Sequence, residues 1–143
     1  MFRLADLNVL IALADPNHAH HHAARAWLAA RPRLGLATCA LTENGFLRIY
    51  GHPSYPNGPG SPGKALLDLK AYRARRGYRF LPCDLSFDDP CFKDLGGVAP
   101  KQLTDVYLAG LALKHGTRLA TFDGSIPVEL LVEGDRAIEQ IPV

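Results

Sequence analysis

The sequence predicts an α/β fold with a central, mainly parallel sheet of about five short strands. Short apolar segments alternate along the chain with segments of helical periodicity, an order typical of parallel sheets covered by helices on both faces. The chain has 143 residues, of which 48% are hydrophobic and 21% charged, as in ordinary globular proteins. A chain of this length normally forms one domain, so we expect residues 1–143 to be a single domain.

The first half of the chain is predicted to contain two strands and three helices before a long loop. Asp15 and Pro16 favour the start of the second helix, because Asp caps helices and Pro suits their first turn. Four prolines and four glycines in residues 51–63 predict a surface loop. The predicted elements are strands at residues 2–6 and 34–38, a helix ending at Ala14, and helices at residues 18–30 and 40–50.

The second half repeats the alternation of helix and strand. Thr104 is the predicted N-cap of the central helix in this half, and Gly116 is a typical helix stop. Residues 86–102 are predicted to be irregular or weakly helical. The other predicted elements are helices at residues 64–76 and 104–115, strands at residues 78–81 and 118–122, and a fifth strand within residues 137–143.

Four carboxylates stand out by their apolar surroundings. Asp6 and Asp123 each end an apolar strand, and Glu43 and Asp105 each lie on the apolar side of a helix. Each alone has an ordinary explanation, as a helix cap or a paired structural charge. Four in one small α/β domain favour a shared site, because ligands bind where the carboxyl ends of parallel strands meet.

A divalent cation is the simplest partner for these acids. Convergent carboxylates repel one another, and apart from Arg48 near Glu43 the sequence offers no neighbouring cation. Oxygen ligands without cysteine favour Mg²⁺ or Mn²⁺. The chemistry typical of such a site is metal-assisted attack of water on a phosphodiester.

Four segments carry a resemblance to a known family. In order and spacing they resemble the acidic motifs of PIN-domain ribonucleases, and specifically those of the VapC toxins of bacterial toxin–antitoxin pairs. The resemblance spans nearly the whole chain and implies a PIN-like three-layer α/β/α sandwich. The segments are Asp6–Leu10, Thr42–Arg48, Leu103–Ala109 and Leu119–Asp123, and residues 15–28 resemble the second helix of this family.

The resemblance also implies a role for each matched residue. Asp6 and Asp105 would be the most direct ligands of Mg²⁺, for which Mn²⁺ can substitute. Glu43 and Asp123 would complete the site through water or a second metal and orient the attacking water. The polar residues that would fix these carboxylates are Asn8 and Thr104. Gly124 and Ser125 depart from the family pattern, because many relatives carry a larger or charged residue directly after the last acid.

Partners and location follow from the resemblance and from composition. The family cleaves RNA (tRNA and rRNA are candidate substrates), is usually a homodimer, and is neutralised by a cognate VapB-like antitoxin inserted near the active site. Arg48 is expected to bind a phosphate or an acidic group of the antitoxin. An odd number of cysteines, three, and an N-terminal apolar run too short to span a bilayer favour a cytoplasmic protein without a membrane partner.

The sequence fits two other classes of protein less well than it fits a nuclease. An RNA- or protein-binding module that keeps the fold without cleaving is disfavoured because all four acids are present. A phosphotransfer domain of the haloacid-dehalogenase type normally has a second Asp two residues after the first, where this chain has Asn8. A receiver domain would require paired acids near the N-terminus and a late lysine, and neither is apparent.

The remaining distinctive residues have simple structural interpretations. The run of histidines from His18 to His22 is predicted to be an exposed helix start, because three consecutive residues cannot share one helical face to bind zinc. Trp27 is expected in the core or a dimer interface. The formal net charge of +2 excludes a polybasic protein. The local basic set is a solvated surface or, as a hypothesis, a phosphate contact: Lys70, Arg73, Arg75, Arg76 and Arg79.

Overall fold

The computed structural model describes all residues, 1–143, and contains one five-stranded sheet between two layers of helices. The strands are β1 (Phe2–Ala5), β2 (Gly35–Cys39), β3 (Arg79–Leu81), β4 (Leu119–Thr121) and β5 (Ile138–Gln140). The helices are α1 (Leu7–Ala14), α2 (His21–Ala29), α3 (Ala40–Tyr50), α4 (Pro62–Ala74) and α5 (Leu103–Lys114). Short 3₁₀ turns lie at Pro100–Gln102, Val128–Leu130 and Gly134–Arg136.

All strand pairs are parallel, in the order β3-β2-β1-β4-β5. The apolar strand β1 lies at the centre, with Leu4 opposite Ala37 on one side and Leu119 on the other. The chain leaves β1 towards one edge of the sheet and later returns to build the other edge beside it. A crevice at the carboxyl ends of β1 and β4 is therefore expected, because ligand sites form where strand order reverses.

Two hydrophobic clusters cover the two faces of the sheet. Successive residues of β1 point to opposite faces, so Leu4 belongs to one cluster and Ala5 to the other. Helices α1 to α4 supply the cluster around Ala5, which contains Trp27 and Phe46. Helix α5 supplies more residues to the other cluster than any other element does. The predicted three-layer α/β/α arrangement is confirmed, and Trp27 is a core residue only 5% exposed.

The predicted start of the second helix was wrong. Helix α1 ends at Ala14 with Asp15 as its C-cap, as predicted, but helix α2 begins only at His21. The Asp15 carboxylate accepts hydrogen bonds from the backbone N–H of Asn17 at 2.9 Å and the hydroxyl of Tyr55 at 2.6 Å. Asp15 therefore stabilises a turn and the following surface loop, which leaves no side chain to start a helix at residue 18.

The predicted N-cap of the fifth helix was also wrong. Helix α5 begins at Leu103, with Gln102 in the cap position and Thr104 already inside the first turn. The 3₁₀ turn over residues 100–102 runs directly into the helix, so the chain enters α5 with helical geometry and needs no capping hydroxyl. No helix has the length and apolar character needed to cross a bilayer.

Candidate active site

Asp6 is anchored at the end of the central strand. Its backbone N–H donates to the carbonyl of Ala120 on β4, and its side chain caps α1. Oδ1 accepts from the backbone N–H of Leu7 at 2.7 Å, and Oδ2 accepts from Oγ1 of Thr121 at 2.8 Å. Asp6 is a helix cap and a candidate site residue, held in one orientation through both carboxylate oxygens.

A cavity of about 280 Å³ opens beside Asp6. The first turn of α5 contributes Asp105 to its wall, and α3 contributes Arg48. We call it the acidic cavity; its polar lining residues are Asp6, Asn8, Thr42, Asn44, Arg48, Thr104 and Asp105. Three elements, α1, α3 and α5, thus bring most of the predicted polar site residues to the carboxyl ends of β1 and β4.

The carboxylates of Asp6, Asp105 and Asp123 lie near enough to influence one another. Burial raises the pKa of Asp105 to about 6, assisted by the negative charges of Asp6 and Asp123. Burial and the charge of Asp123 also raise the pKa of Asp6, although hydrogen bonds from Thr121 and Leu7 oppose this shift. Folding therefore holds like charges together, an arrangement found at functional sites. A bound cation would lower the raised pKa values of these carboxylates.

Asp123 lies after β4 in a turn of its own. Its Oδ1 accepts hydrogen bonds from the backbone N–H of Ser125 at 2.7 Å and from the Ser125 hydroxyl at 2.6 Å. These two bonds lower the pKa of Asp123. Gly124 leaves room for Gln140, whose side chain lies 2.7 Å from where a Cβ would be. The departure from the family pattern at residues 124–125 thus accompanies a local turn that lowers the pKa of Asp123.

Glu43 does not line the acidic cavity. Its Oε2 accepts a hydrogen bond from Oγ1 of Thr38 at 2.6 Å and another from the Tyr78 hydroxyl at 3.3 Å. The cavity is lined by another face of α3, which includes Leu41 and Arg48. The structure therefore brings together three of the four predicted acids. It contains no group of three His, Cys, Asp or Glu side chains placed to share one metal ion.

Comparisons with known proteins decide the family. Ribonuclease VapC44 of Mycobacterium tuberculosis is 42% identical over 127 residues, covering 88% of this chain and 89% of the relative. This chain belongs to the VapC family of PIN-domain ribonucleases. Two further VapC relatives from the same organism are ribonuclease VapC38, 40% identical over 90% of this chain and 96% of its own, and ribonuclease VapC39, 37% identical over 88% and 91%. No protein-family model matches the chain.

Sequence reasoning missed two groups at this VapC site. Thr121 lies opposite Asp6 because β1 and β4 pair with Ala5 beside Ala120, and strand register cannot be read from sequence. Tyr78 reaches Glu43 from the start of β3. Its position before a short strand gave no sign of this contact, although a tyrosine hydroxyl in an apolar segment often has a polar partner.

The histidine run lies near the site without joining it. The ring of His20 packs 4.8 Å from the ring of Phe122, the residue before Asp123. A ring nitrogen of His21 hydrogen-bonds the carbonyl of Ala12 at 2.7 Å, and His22 is exposed. These side chains therefore point in different directions, as expected of consecutive residues at a helix start.

Proposed function

We propose that this chain is a Mg²⁺-dependent endoribonuclease toxin that cleaves RNA at the acidic cavity and is inhibited by a cognate VapB-like antitoxin. The observation that carries the proposal is the approach of Asp105 to Asp6 and Asp123, which with burial raises its pKa to about 6. Such repulsion is tolerated where a bound cation offsets it. RNA as the substrate class, with tRNA and rRNA as candidates, is supported by relatives named as ribonucleases.

The side chains of the acidic cavity suit a hard divalent cation. Its polar groups are mainly carboxylate, amide and hydroxyl oxygens, and neither cysteine nor histidine lines it. We infer that Asp6 and Asp105 are direct ligands of Mg²⁺ or Mn²⁺, and that Asp123 contributes through water or a second ion. When bound, such an ion lowers the pKa of water and stabilises charge on the phosphate.

The protein's own groups orient the reaction. Thr121 and the N–H of Leu7 fix the two oxygens of Asp6, so this carboxylate is already positioned before substrate arrives. Arg48 has no carboxylate partner within ion-pair distance and lies in the cavity wall, where its guanidinium can bind a phosphate in two-point fashion. Asn8 and Thr104 also line the cavity, and we propose that they orient these carboxylates once the ion is bound.

Glu43 would contribute to the metal site only if its present contacts changed or if a water molecule linked it to the ion. To join the metal site it must release the hydroxyls of Thr38 and Tyr78, or act through water. If Glu43 keeps its present contacts, the same fold serves as a non-cleaving RNA- or protein-binding module. That module is the second candidate function, and the separation of Glu43 from the other acids is the observation that favours it.

Protein partners are proposed at the rim of the acidic cavity. Leu41 and Ile49 on α3 are 45% and 37% exposed and are near Arg48 in sequence. Exposed apolar side chains beside an unpaired arginine suit a protein surface carrying an acidic group. We propose that the antitoxin binds this rim. We also propose that the toxin forms a homodimer, as the resemblance to VapC toxins implies.

The deciding experiment is cleavage of total bacterial RNA by the purified protein with Mg²⁺, with Mn²⁺ and with EDTA. We expect discrete fragments with either metal, none with EDTA, and at least about a hundredfold slower cleavage by D6N and D105N. D88N is the matched control, because Asp88 is an exposed loop carboxylate. Absence of cleavage by the wild type, or equal cleavage by folded D6N and D105N, would reject the proposal in favour of the binding module.

A further inference from the structure

The end of the sheet opposite the acidic cavity is rich in arginine. A cavity of about 430 Å³ is lined by Met1, Pro32, Arg33, Arg76, Gly77 and Arg79. A second cavity of about 490 Å³ shares Pro32 with the first and is lined by Arg25 and Arg75 among others. We call Arg33, Arg75, Arg76 and Arg79 the arginine face.

A close backbone contact builds this face. The turn after α4 lies directly against the start of β2, so that a Cβ on Gly35 would be 2.0 Å from the carbonyl oxygen of Gly77. Gly77 has φ +81°, a conformation that other residues rarely adopt. This contact brings Arg76 beside Arg33, which are far apart in sequence but line the same cavity.

The arginine face lacks protein counter-charges. None of its four arginines lies within ion-pair distance of a carboxylate, whereas neighbouring Arg3 and Arg31 both pair with Glu139. The Nε atom of Arg75 is buried without a hydrogen-bond partner. The guanidinium of Arg79 stacks 4.6 Å from the ring centre of Phe2, which holds it in place. Positive charge is thus gathered and partly immobilised here without neutralisation.

We propose that the arginine face is a docking surface for the phosphates of a folded RNA, separate from the acidic cavity. The inference rests on the proposed ribonuclease function. Asp6 and Asp105 in the cavity wall, with Asp123 nearby, repel phosphates, and Arg48 is the one basic residue that lines the cavity. Affinity for a polyanion therefore needs positive charge elsewhere, and arginine binds phosphate oxygens in pairs.

Geometry and surface chemistry favour RNA as the occupant. The two sites lie at opposite ends of β1, whose four residues span about 13 Å, so a ligand touching both must extend well beyond one nucleotide. The lining of the 430 Å³ cavity beside Arg33 has no large apolar side chain apart from Met1 and Pro32. A protein partner usually buries aromatic or aliphatic side chains at the centre of its contact, and this cavity offers few of them.

The test measures binding of bulk bacterial tRNA in the D105N background, where binding is separated from cleavage. R33A/R76A removes two exposed arginines, and K64A/K93A removes two exposed lysines elsewhere as the matched control. We expect R33A/R76A to bind tRNA roughly tenfold more weakly, with a slope of log affinity against log salt smaller by about two. R33K/R76K keeps the charges and should retain most of this slope. With Asp105 restored, R33A/R76A should raise KM for RNA without lowering kcat.

Two outcomes would overturn the docking surface. The first is tRNA affinity and salt slope in R33A/R76A equal to those of K64A/K93A. The second is unchanged tRNA affinity with weaker binding of a polyglutamate probe, which would assign the face to an acidic protein segment. Failure of the proposed nuclease is a separate result, because it is seen as absence of Mg²⁺-dependent cleavage by the wild type, whereas docking is measured in D105N.

Discussion

The hydroxyl of Thr121 connects two strands at the candidate active site by donating a hydrogen bond to Oδ2 of Asp6 at 2.8 Å. Oγ1 of Thr121 also accepts a hydrogen bond from the backbone N–H of Asp123 at 3.1 Å. Thr121 thereby sets the position of one acid directly and that of a second through the main chain. Groups that orient metal ligands in this way commonly matter nearly as much as the ligands.

Replacing Thr121 by Val should impair cleavage without unfolding the protein. Valine keeps the shape and removes the hydroxyl, so Asp6 loses one anchor and RNA cleavage should slow by about 10- to 100-fold. T121S should restore most of the rate. T117V, which removes a buried hydroxyl bonded to the carbonyl of Phe2 at the other end of the sheet, is the stability control. Wild-type cleavage by T121V would contradict a positioning role for Thr121.

Removing the charge of Asp105 should stabilise the metal-free protein. Asp105 is partly buried near Asp6 and Asp123, and no group donates a hydrogen bond to it. We expect D105N to increase the free energy of unfolding at neutral pH in EDTA by up to about 1 kcal/mol. Added Mg²⁺ should stabilise the wild type but not D105N. Urea unfolding measures both effects, and a D105N protein less stable than wild type in EDTA would refute the idea.

The stability of the protein should depend on a hydrogen bond from the hydroxyl of Tyr55, in the loop after α3. Tyr55 donates to the carboxylate of Asp15, which is only 5% exposed. Removing a donor from a buried charge costs about 1.5–3 kcal/mol, so Y55F should lower the free energy of unfolding by that amount. Y72F, which removes a bond to the neutral carbonyl of Leu10, is the comparison and should cost less. Equal losses for the two variants would contradict this account.

Glu139 should give stability that depends on pH. Its carboxylate accepts hydrogen bonds from Trp27 Nε1 at 2.7 Å and Arg3 Nε at 2.8 Å. Partial burial alone would raise the pKa of Glu139, but these bonds and the charges of Arg3 and Arg31 outweigh it and lower the pKa below 4.5. The stabilisation is therefore complete above pH 4.5 and is lost as pH falls through the lower pKa of the folded state.

The test compares E139Q with wild type by urea unfolding across this pH range. At pH 7 the substitution should cost about 1–3 kcal/mol, and the difference should shrink steadily below pH 4.5. E129Q removes an exposed carboxylate with no ion-pair partner and should show little of this dependence. A constant difference between E139Q and wild type at all pH values would exclude the proposed linkage.

Much of the fold follows from local patterns in the sequence. The apolar segment before Asp6 predicts a buried strand, and the apolar helix around Asp105 supplies much of the cluster on one face of the sheet. Both parallel pairing and three layers follow from that alternation. The starts of helices were harder to predict. Asp15, for example, accepts a hydrogen bond from Tyr55, 40 residues later, and does not cap α2.

The candidate site could be predicted only in part from the sequence, because it too depends on contacts between residues far apart in the chain. Apolar context identified Asp6, Asp105 and Asp123, which the fold brings together at one edge of the sheet. The direction of Glu43 depends on hydroxyls of Thr38 and Tyr78 that come from neighbouring strands. The role of Thr121 depends on strand register, and that of Arg33 on a contact between Gly35 and Gly77. Such long-range pairings leave no mark in local periodicity.

The central claim is that the acidic cavity binds a divalent metal ion through Asp105 and its neighbours. Its most direct test is titration of Mn²⁺ into the RNA-free protein, with free Mn²⁺ followed by electron paramagnetic resonance. We predict that the wild type and D88N bind Mn²⁺ equally and that D105N binds at least about tenfold more weakly. Equal Mn²⁺ binding by D105N and wild type would contradict the metal centre proposed for this VapC protein.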